Sequence, residues 1–385
     1  MTKPIRVFQL LEATVGGTKR HLLDLCAGLP SDEFEVVIGA PSIRSHHHGD
    51  TSFFEDVKDL GIDLRVLDLV RPVSPMADIR ALAQIASILR DEQFDILHCH
   101  SSKAGVLGRL ASVVCPKTKV VYSPHGFYFL NFPPSVKRTA YRLFERFAST
   151  FGDRVIALSN GEYNAAIDQK VTSRNKLRMI ENGLDHFRVH TPDQARNMLG
   201  IPGSAITVGT VSRFTAQKSP YDVVSVVDRL RSDFPELCFL WFGVGELQKD
   251  IEREIGNRGL QDHFRLLGYR ANVRSLLPAM DVFLLASQWE GLPYTIMETM
   301  YAGVPVVATD VVGSQDFIEN GDTGFLVDHG DVDGLAESVA RLLKSPVLSQ
   351  KICFNAASRL ETRFSLKSMI EKTAGIYREL VRGGS

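Results

Sequence analysis

The feature that most constrains this fold is a repeated alternation of short apolar runs with longer segments of helical spacing. Strand-length runs in the first half lie at 6–11, 35–39, 64–67, 96–100, 119–123, 154–158 and 177–180. The pattern restarts after a Pro-, Asp- and Gly-containing stretch at 185–204, with runs at 206–211, 238–242, 264–267, 282–285, 304–308 and 325–327. Strands alternating with helical crossovers form parallel sheets covered on both faces. The sequence therefore predicts an α/β protein with two doubly wound parallel sheets in tandem.

The length of the chain agrees with two domains, because 385 residues exceed what one hydrophobic core usually supports. We expect a first domain at 1–188, a second at 189–365, and a last helix at 366–385 that crosses back to the first. Ligands of open α/β sheets bind beyond the carboxyl ends of the strands. Two facing sheets would place that site in a cleft between the domains.

The charge balance, 44 basic against 45 acidic residues, argues against a surface built for nucleic acid. The N-terminus lacks the apolar region of a signal peptide, and no apolar run approaches the roughly 20 residues that span a bilayer. We therefore expect a cytoplasmic protein whose membrane contact, where it occurs, is peripheral. Its cysteines are odd in number, scattered and expected to be reduced: Cys26, Cys99, Cys115, Cys238 and Cys353.

Two features follow strands of the first half. Gly16 and Gly17 precede an amphipathic helix, whose N-terminal amides can approach an anion, although a tight turn explains the glycines nearly as well. His125 follows the run at 119–123, where an imidazole can bind a hydroxyl group or move a proton. A histidine bonded to neighbouring backbone is an equal alternative.

Other histidines favour structural roles over a metal site. His98 and His100 flank Cys99 at a strand end, where they can face the same side, and packing is the preferred interpretation. The triplet at 46–48 lies in a polar stretch and is interpreted as a solvated loop. No metal site is predicted.

In the second half, Arg213 closely follows the run at 206–211, and Lys218 precedes a helix that starts near Pro220. Two cations at the carboxyl edge of a sheet suit a diphosphate, whose charge they can neutralise. The alternative is a charged surface that caps the helix.

The segment 287–298 carries two carboxylates of different reach. Pro293 fits the first turn of a helix, so Glu290 lies in the preceding loop and Glu298 more than one turn inside. One glutamate can bind sugar hydroxyls, the other a ribose diol, and a solvated helix face is the alternative for each. Backbone amides here can face a phosphate; they belong to Leu292, Tyr294 and Thr295.

The segment 134–147 combines basic residues with an apolar stripe. Such a helix can rest on anionic lipid, or it can pack its apolar stripe on the sheet and leave its basic face solvated. The basic residues are Lys137, Arg138, Arg142 and Arg146, and the apolar ones are Val136, Ala140, Tyr141, Phe144 and Phe147.

Taken in order, these motifs resemble the retaining family-four glycosyltransferases of GT-B fold, in which two Rossmann-like domains face each other across a cleft. The resemblance covers nearly the whole chain and is closest to the bacterial subgroup that builds capsule, exopolysaccharide and O-antigen. The motifs that carry it are Gly16-Gly17, His125-Gly126, the segment 180–185, Arg213 with Lys218, and Glu290 with Glu298 in an E-x7-E spacing.

The resemblance implies a role for each candidate residue. Arg213 and Lys218 would hold the donor diphosphate, Glu290 the donor sugar and Glu298 the ribose. His125 would contact the sugar near the reaction centre. Further donor contacts would come from Gly16, Gly17, Gly268, Tyr269, Arg270, Gly291, Leu292, Pro293, Tyr294 and Thr295, and acceptor contacts from Lys19 and His21. Families of this kind usually need no bound metal or other cofactor.

The function implied is retaining transfer of a hexosyl or N-acetylhexosaminyl group from a nucleotide sugar, expected to be a UDP-sugar. The acceptor would be a saccharide or a lipid-linked saccharide in surface polysaccharide synthesis, with peripheral contact at the inner membrane surface. Two alternatives stay open: a nucleotide-sugar epimerase of GT-B fold, and a noncatalytic nucleotide-sugar sensor.

Overall fold

The computed structural model describes residues 3–41, 52–70, 72–291 and 293–383. They form two compact units: the first takes described residues from Met1–His46, Thr51–Gly183 and Leu366–Ser385, and the second those from Leu184–Ser365. The histidine triplet at 46–48 and Leu292 lie outside the described residues. The domain bounds expected from the sequence stay a prediction.

One parallel sheet of seven strands organises the first unit. Its strands are β1 (Ile5–Leu11), β2 (Phe34–Pro41), β3 (Asp63–Leu67), β4 (Ile96–His100), β5 (Lys119–Ser123), β6 (Arg154–Ala157) and β7 (Leu177–Met179). Its helices are α1 (Gly16–Gly28), α2 (Phe53–Asp59), α3 (Pro75–Glu92), α4 (Ser102–Ala111), α5 (Val136–Ala148), α6 (Asn160–Asp168) and, from the far end of the chain, α15 (Leu366–Arg382).

A second parallel sheet, of six strands, organises the other unit. Its strands are β8 (Ile206–Val211), β9 (Leu237–Phe242), β10 (Phe264–Gly268), β11 (Val282–Leu285), β12 (Val306–Thr309) and β13 (Phe325–Val327). Its helices are α7 (Pro192–Leu199), α8 (Pro220–Leu230), α9 (Gln248–Asn257), α10 (Val273–Leu276), α11 (Tyr294–Tyr301), α12 (Ser314–Phe317), α13 (Val332–Lys344) and α14 (Pro346–Arg363).

Both sheets reverse their strand order once. The first runs β3-β2-β1-β4-β5-β6-β7 and the second β10-β9-β8-β11-β12-β13, so the reversals lie between β1 and β4 and between β8 and β11. Doubly wound sheets bind ligands at such a reversal, beyond the carboxyl strand ends. The predicted fold class of two Rossmann-like parallel-sheet domains is confirmed.

Apolar side chains fill both faces of each sheet, which explains the continuous apolar runs of the strands. In the first unit, Phe8 of β1 joins Leu97 of β4 on one face, whereas Leu11 joins Leu22 of α1 on the other. Polar side chains interrupt this core beside β1 and β4, where Gln9, His98 and His100 are also fully buried. Buried polar groups need partners inside the protein, so these three mark a place of interest.

Helix α15 belongs to the first unit although it follows the whole second unit in the chain. Tyr377 is fully buried, and Arg378 makes two bonds to the carboxylate of Glu33 at 2.7 and 2.6 Å. Within the part of the chain that the structure covers, no helix combines the length and apolarity that crossing a bilayer requires. All five cysteines are unpaired.

Candidate functional site

The candidate donor residues of the second unit stand at its strand-order reversal. Arg213 lies two residues beyond the end of β8, and Glu290 lies in the loop that follows β11. Lys218 forms an ion pair with Glu290, and Ser287 Oγ donates to Glu290 Oε1 at 2.6 Å. The side chains of Lys218 and Glu290 are only 13% and 7% exposed. We call Arg213, Lys218 and Glu290 the charged site.

Glycines hold the backbone around Arg213 in place. A Cβ on Gly243, whose φ is +144°, would overlap the carbonyl oxygen of Ser212, and a Cβ on Gly245 would overlap that of Phe214. The loop after β9 therefore packs backbone against backbone on the segment that carries Arg213. Sequence reasoning missed both glycines, although a Gly-x-Gly pair directly after a strand signals a close backbone approach.

A third glycine supports the Glu290 side of the charged site. Gly313 precedes α12 with a φ of +92°, and a Cβ there would overlap the carbonyl oxygen of Gly291. The loop after β12 thus rests on the residue that follows Glu290. Any side chain at position 313 would displace it.

Helix α11 begins at Tyr294, with Pro293 at the N-cap position rather than inside the first turn as predicted. Glu298 lies more than one turn inside the helix and is buried, with one carboxylate oxygen 3.7 Å from Arg274. A solvated helix face is therefore the wrong interpretation for Glu298, and the shielded Glu290 excludes it for that residue too. Thr295, one residue after Tyr294, is half-buried.

Gly268, Tyr269 and Arg270, whose backbone the family resemblance places around the base of the donor, lie at the end of β10. Gly268 ends the strand with a φ of +66°, a conformation that favours glycine. Tyr269 is 42% exposed, and Arg270 is exposed with its Nε 3.3 Å from the carbonyl oxygen of Leu267. Their contact with a base stays a prediction.

In the first unit, Gly16 and Gly17 are exposed at the start of α1. Gly16 has a φ of +69°, and the N-cap residue is Val15, whose side chain has no acceptor to offer the first amides. Backbone amides at such a helix N-terminus can bind an anion, and donor contacts of Gly16 and Gly17 stay a prediction.

Lys19, expected to contact the acceptor, is buried against helix α2. Its Nζ lies 2.6 Å from Asp56 Oδ2 and donates to Ser52 Oγ at 2.7 Å. The charge of Lys19 is therefore already neutralised inside the unit. Its role toward an acceptor stays a prediction.

His125 occupies an unusual backbone position. Its φ is +52°, and that of Gly126 is +95°. Left-handed conformations are uncommon for residues other than glycine and cluster at functional sites. The buried carboxylate of Glu162 stabilises the turn, because it accepts from the Gly126 amide and from the Leu158 amide, the latter at 2.9 Å.

Glu162 was missed in the sequence, although its surroundings carried a signal. Ser159 and Glu162 have the spacing of a capping box, and Ser159 Oγ does accept from the Glu162 amide at 3.0 Å at the start of α6. The carboxylate of Glu162, however, serves the His125-Gly126 turn. Nothing local predicts that partner, which lies 36 residues away.

Four imidazoles gather beside β1 and β4: His21, His98, His100 and His125, which we call the histidine cluster. His100 Nδ1 lies 3.0 Å from His125 Nε2, and His21 Nδ1 lies 2.7 Å from Asn182 Oδ1. Thus His125 bonds another imidazole, and the alternative of a histidine held by neighbouring backbone is wrong. His98 and His100 face the same side, as expected, with ring centroids 4.1 Å apart.

Burial keeps the histidine cluster neutral near pH 7. Desolvation lowers the pKa of His21 to about 4, against a smaller opposing effect of its bond to Asn182. Desolvation also lowers the pKa of His98, His100 and His125 well below the usual value, and neighbouring imidazoles add to the effect.

One ring nitrogen each from His21, His100 and His125 lies within 4.8 Å of the others, a set that could hold a metal ion. The bond between His100 Nδ1 and His125 Nε2, at 3.0 Å, already engages one nitrogen of each of these two rings. We therefore treat the trio as hydrogen-bonded imidazoles, and the expectation of no bound metal stays a prediction.

Helix α5 leaves three of its apolar residues exposed to solvent, whereas Tyr141 packs against the core of the unit. Val136 is 88% exposed, Phe144 50% and Phe147 54%. Its buried residues are Glu145 and Ala148, and the Glu145 carboxylate bonds Arg109 at 2.6 Å and Tyr122 at 3.0 Å. The alternative in which this apolar stripe packs on the sheet is wrong for those three residues. The basic residues Lys137 and Arg146 are exposed, whereas Arg138 and Arg142 are half-buried.

Two family models match adjacent parts of the chain. The model described as Glycosyltransferase Family 4 matches residues 15–188, and that described as Glycosyl transferases group 1 matches residues 192–359. The first match contains the histidine cluster, and the second contains the charged site.

Curated relatives agree with the family models. The chain is 28% identical over 320 residues to an Escherichia coli UDP-Gal:alpha-D-GlcNAc-diphosphoundecaprenol alpha-1,3-galactosyltransferase, with 81% of this chain and 82% of the relative covered. It is 26% identical to the putative glycosyltransferase EpsD of Bacillus subtilis, over 80% of this chain and 82% of the relative.

Solved structures share the fold. A crystal structure of Anabaena HepE in complex with UDP-glucose superposes with a TM-score of 0.81 at 22% identity, over 97% of this chain and 99% of the other. Sucrose-phosphate synthase from Thermosynechococcus elongatus gives a TM-score of 0.82 at 17% identity, over 98% and 100%. The chain thus belongs to the family-4 type of GT-B glycosyltransferases, related to the bacterial enzymes of capsule, lipopolysaccharide and exopolysaccharide synthesis.

Proposed function

We propose that this glycosyltransferase moves a hexosyl or N-acetylhexosaminyl group from a UDP-sugar to a saccharide or lipid-linked saccharide, with retention of the anomeric configuration. The charged site is the observation that carries the proposal. It brings Arg213 and Lys218 to the strand-order reversal, together with a shielded carboxylate, Glu290. The choice of UDP is supported by the E. coli relative, named for UDP-Gal, and by the HepE complex with UDP-glucose.

The ion pair between Lys218 and Glu290 suggests how the donor is received. A diphosphate is a stronger anion than one carboxylate, so Lys218 would exchange Glu290 for phosphate oxygens when the donor enters. Glu290, still held by Ser287, then has acceptor oxygens to offer the sugar hydroxyls. Binding of the donor and orientation of its sugar are thereby coupled.

Transfer requires the bond between the anomeric carbon and the diphosphate to break. As the leaving oxygen gains negative charge, Arg213 and Lys218 stabilise it, and the sugar develops oxocarbenium-like character. The acceptor hydroxyl would enter from the face that the diphosphate leaves, pass its proton to an oxygen of the departing diphosphate and form the new glycosidic bond, which gives retention. Positive side chains perform this electrostatic task without a bound metal.

Donor binding tests the first part of the proposal. A thermal-shift panel of UDP-, GDP- and ADP-sugars should show the largest stabilisation with a UDP-sugar, since a ligand that binds only the folded state raises its unfolding free energy. Selection of a GDP- or ADP-sugar would overturn the choice of nucleotide. EDTA should leave transfer unchanged, and metal-dependent turnover would contradict the metal-free mechanism.

Product analysis tests the reaction. NMR of the product should show the anomeric configuration of the donor, and an inverted centre would contradict retention. Arg213→Ala should lower kcat about a hundredfold, the typical loss on removing one transition-state donor. Arg253→Ala, a 71% exposed arginine of the same unit, is the matched control and should keep normal turnover.

The two alternatives predict different products. Release of a changed free sugar or epimerised nucleotide sugar without any acceptor would favour the epimerase. Tight donor binding with neither transfer nor hydrolysis across an acceptor panel would favour a sensor. Formation of a new glycosidic bond excludes both as the main activity.

For the acceptor, we propose that α5 docks on anionic lipid and so brings the enzyme to a lipid-linked substrate. The exposed side chains of Phe144 and Phe147 supply apolar area, and Lys137 and Arg146 supply positive charge on the same helix.

Liposome flotation tests this docking: the native protein should float with anionic but not with zwitterionic vesicles. The variant F144S/F147S should lose most of this binding, whereas Phe354→Ser, equally apolar and 75% exposed on α14, should retain it. Equal flotation of both variants would overturn the docking proposal.

A further inference from the structure

A chain of buried hydrogen bonds connects helix α15 to His125. Gln9 of β1 stands at its centre: Gln9 Nε2 donates to Tyr377 Oη at 3.1 Å, and Gln9 Oε1 lies 2.8 Å from His100 Nε2. His100 Nδ1 in turn lies 3.0 Å from His125 Nε2. Because Gln9, His100 and Tyr377 are fully buried, their polar atoms depend on partners within the protein.

The same chain continues on the other side of Tyr377. Its hydroxyl oxygen lies 2.6 Å from His98 Nδ1, and His98 Nε2 lies 2.9 Å from Ser123 Oγ. Since the Tyr377 oxygen accepts from Gln9, its proton is donated to His98 Nδ1. A neutral imidazole carries one N–H, so His98 must donate from Nε2 to Ser123.

The donor and acceptor roles toward His125 follow from the same rule. Gln9 Oε1 can only accept, so His100 must carry its proton on Nε2. Its Nδ1 is then an acceptor, and His125 must donate to it from Nε2. Nδ1 of His125 is consequently the unprotonated nitrogen, able to accept a hydrogen bond from a hydroxyl group.

Gln9 alone determines the direction of the chain. An imidazole or a hydroxyl group can donate or accept on either side, whereas a primary amide has one end of each kind. Turning the Gln9 amide by 180° would reverse the bonds at His100 and Tyr377 and every bond beyond them. His125 would then present an N–H at Nδ1 instead of a lone pair.

We propose that Gln9, held by Tyr377, is a positioning residue that selects the tautomer of His125 and makes its Nδ1 an acceptor for a sugar hydroxyl. The proposal rests on the role of His125 in the proposed function. Two separate restraints then act on His125: Glu162 holds the turn through the Gly126 amide, and Gln9 sets the ring through His100. Neither Gln9 nor Tyr377 needs to touch the substrate.

Histidine side-chain NMR tests the assignment in the whole protein without any ligand. With ¹⁵N-labelled histidine, two-bond ¹H–¹⁵N spectra should show His98, His100 and His125 as Nε2–H tautomers. His125 observed with its proton on Nδ1 would overturn the proposal.

In Gln9→Met the His125 signals should shift toward a mixture of tautomers, whereas Gln9→Glu, which keeps an acceptor for His100, should retain the Nε2–H form. An unchanged His125 tautomer in folded Gln9→Met would also overturn it.

A milder variant covers the case in which Gln9→Met does not fold. Tyr377→Phe keeps the ring and removes the hydroxyl that accepts from Gln9 Nε2 and donates to His98 Nδ1, so it should shift the His98 and His125 signals. It should also lower kcat about tenfold, the scale of one lost hydrogen bond, with little change in donor KM. Tyr122→Phe is its matched control, because Tyr122 is equally buried and its hydroxyl bonds Glu145, which is not part of the hydrogen-bond series from Tyr377 to His125. Tyr122→Phe should leave both kcat and the histidine spectrum unchanged. If the two variants behave alike, Tyr377 has only a structural role.

The two readouts separate this inference from the function on which it rests. If the histidine spectra change in the Gln9 and Tyr377 variants but the protein has no transferase activity, the tautomer selection stands and the role of His125 in transfer is rejected. If catalysis is normal but the His125 tautomer does not depend on Gln9, the proposed function stands and the tautomer selection is rejected.

Discussion

The two units share one architecture but treat polar groups at their strand ends in opposite ways. In the first, the histidine cluster is neutral, desolvated and connected by hydrogen bonds whose direction one amide sets. In the second, the charged site pairs Lys218 with Glu290, and both side chains are largely shielded from solvent. The comparison teaches that a doubly wound sheet can prepare either a directional hydrogen-bond acceptor or a set of charges at the same topological position.

The largest effect should come from removing a charge. Lys218→Met should lower kcat about a hundredfold, or about 3 kcal/mol of transition-state stabilisation, because the leaving diphosphate loses one cation. Steady-state kinetics with the preferred donor measures this. Lys344→Met, which removes an exposed cation paired with Asp233 in the same unit, is the control and should be nearly neutral. Equal rates for the two variants would show that Lys218 has no special role in the charged site.

The second-largest effect should come from disturbing the close backbone contact at Gly243. Gly243→Ala should lower the unfolding free energy by about 3 kcal/mol, since the new Cβ meets the Ser212 carbonyl oxygen and the residue has a positive φ. Denaturant unfolding measures the loss. Gly203→Ala, at a glycine with open space around its Cβ, should change stability by less than about 0.5 kcal/mol. A tolerated Gly243→Ala would mean that the segment carrying Arg213 is not fixed by this contact.

The smallest effect, counted per pH unit, concerns the neutrality of the histidine cluster. Burial holds the pKa of His21 at about 4, below the roughly 6.5 of an unfolded histidine, so between these values the unfolded chain binds a proton that the folded chain does not. The contribution of His21 to the unfolding free energy therefore falls as the pH falls, by up to about 1.4 kcal/mol per pH unit between roughly pH 6.5 and 4.

His21→Asn removes this contribution and keeps a donor for Asn182, so its stability should decline less steeply with acidification than that of the native protein. His98, His100 and His125 maintain part of the slope, because burial lowers their pKa as well. Denaturant unfolding at pH 7, 6 and 5 checks this, with His186→Asn, an exposed histidine of the second unit, as the control. A slope equal to that of the native protein would contradict a neutral, desolvated His21.

The strands were predictable because both sheets are buried on two faces, which makes each strand a continuous apolar run. β4, β5, β8, β11 and β13 match their predicted runs residue for residue, whereas β12 begins at Val306 instead of residue 304. The positions of Arg213 and Glu290 beyond strand ends also followed, since the order of parallel strands places loops there.

Contacts between distant residues were not predictable. Gln9 and Tyr377 are 368 residues apart, and no local pattern connects a glutamine in a strand with a tyrosine in a terminal helix. Helix α5 misled for a related reason: periodicity identifies an apolar stripe but not what covers it, and here Glu145 faces inward while Phe144 is half exposed. The roles assigned to the site residues stay predictions until they are measured.

The place of α15 has a consequence for synthesis on the ribosome. The first sheet leaves the exit tunnel long before residues 366–382 are translated. Gln9 and His98 therefore cannot form their hydrogen bonds to Tyr377 until the whole second unit has been made. Until then, buried amide and imidazole groups lack a partner that they need. The nascent first unit must therefore stay open on the α15 side, and it closes around its histidines only when the last helix arrives.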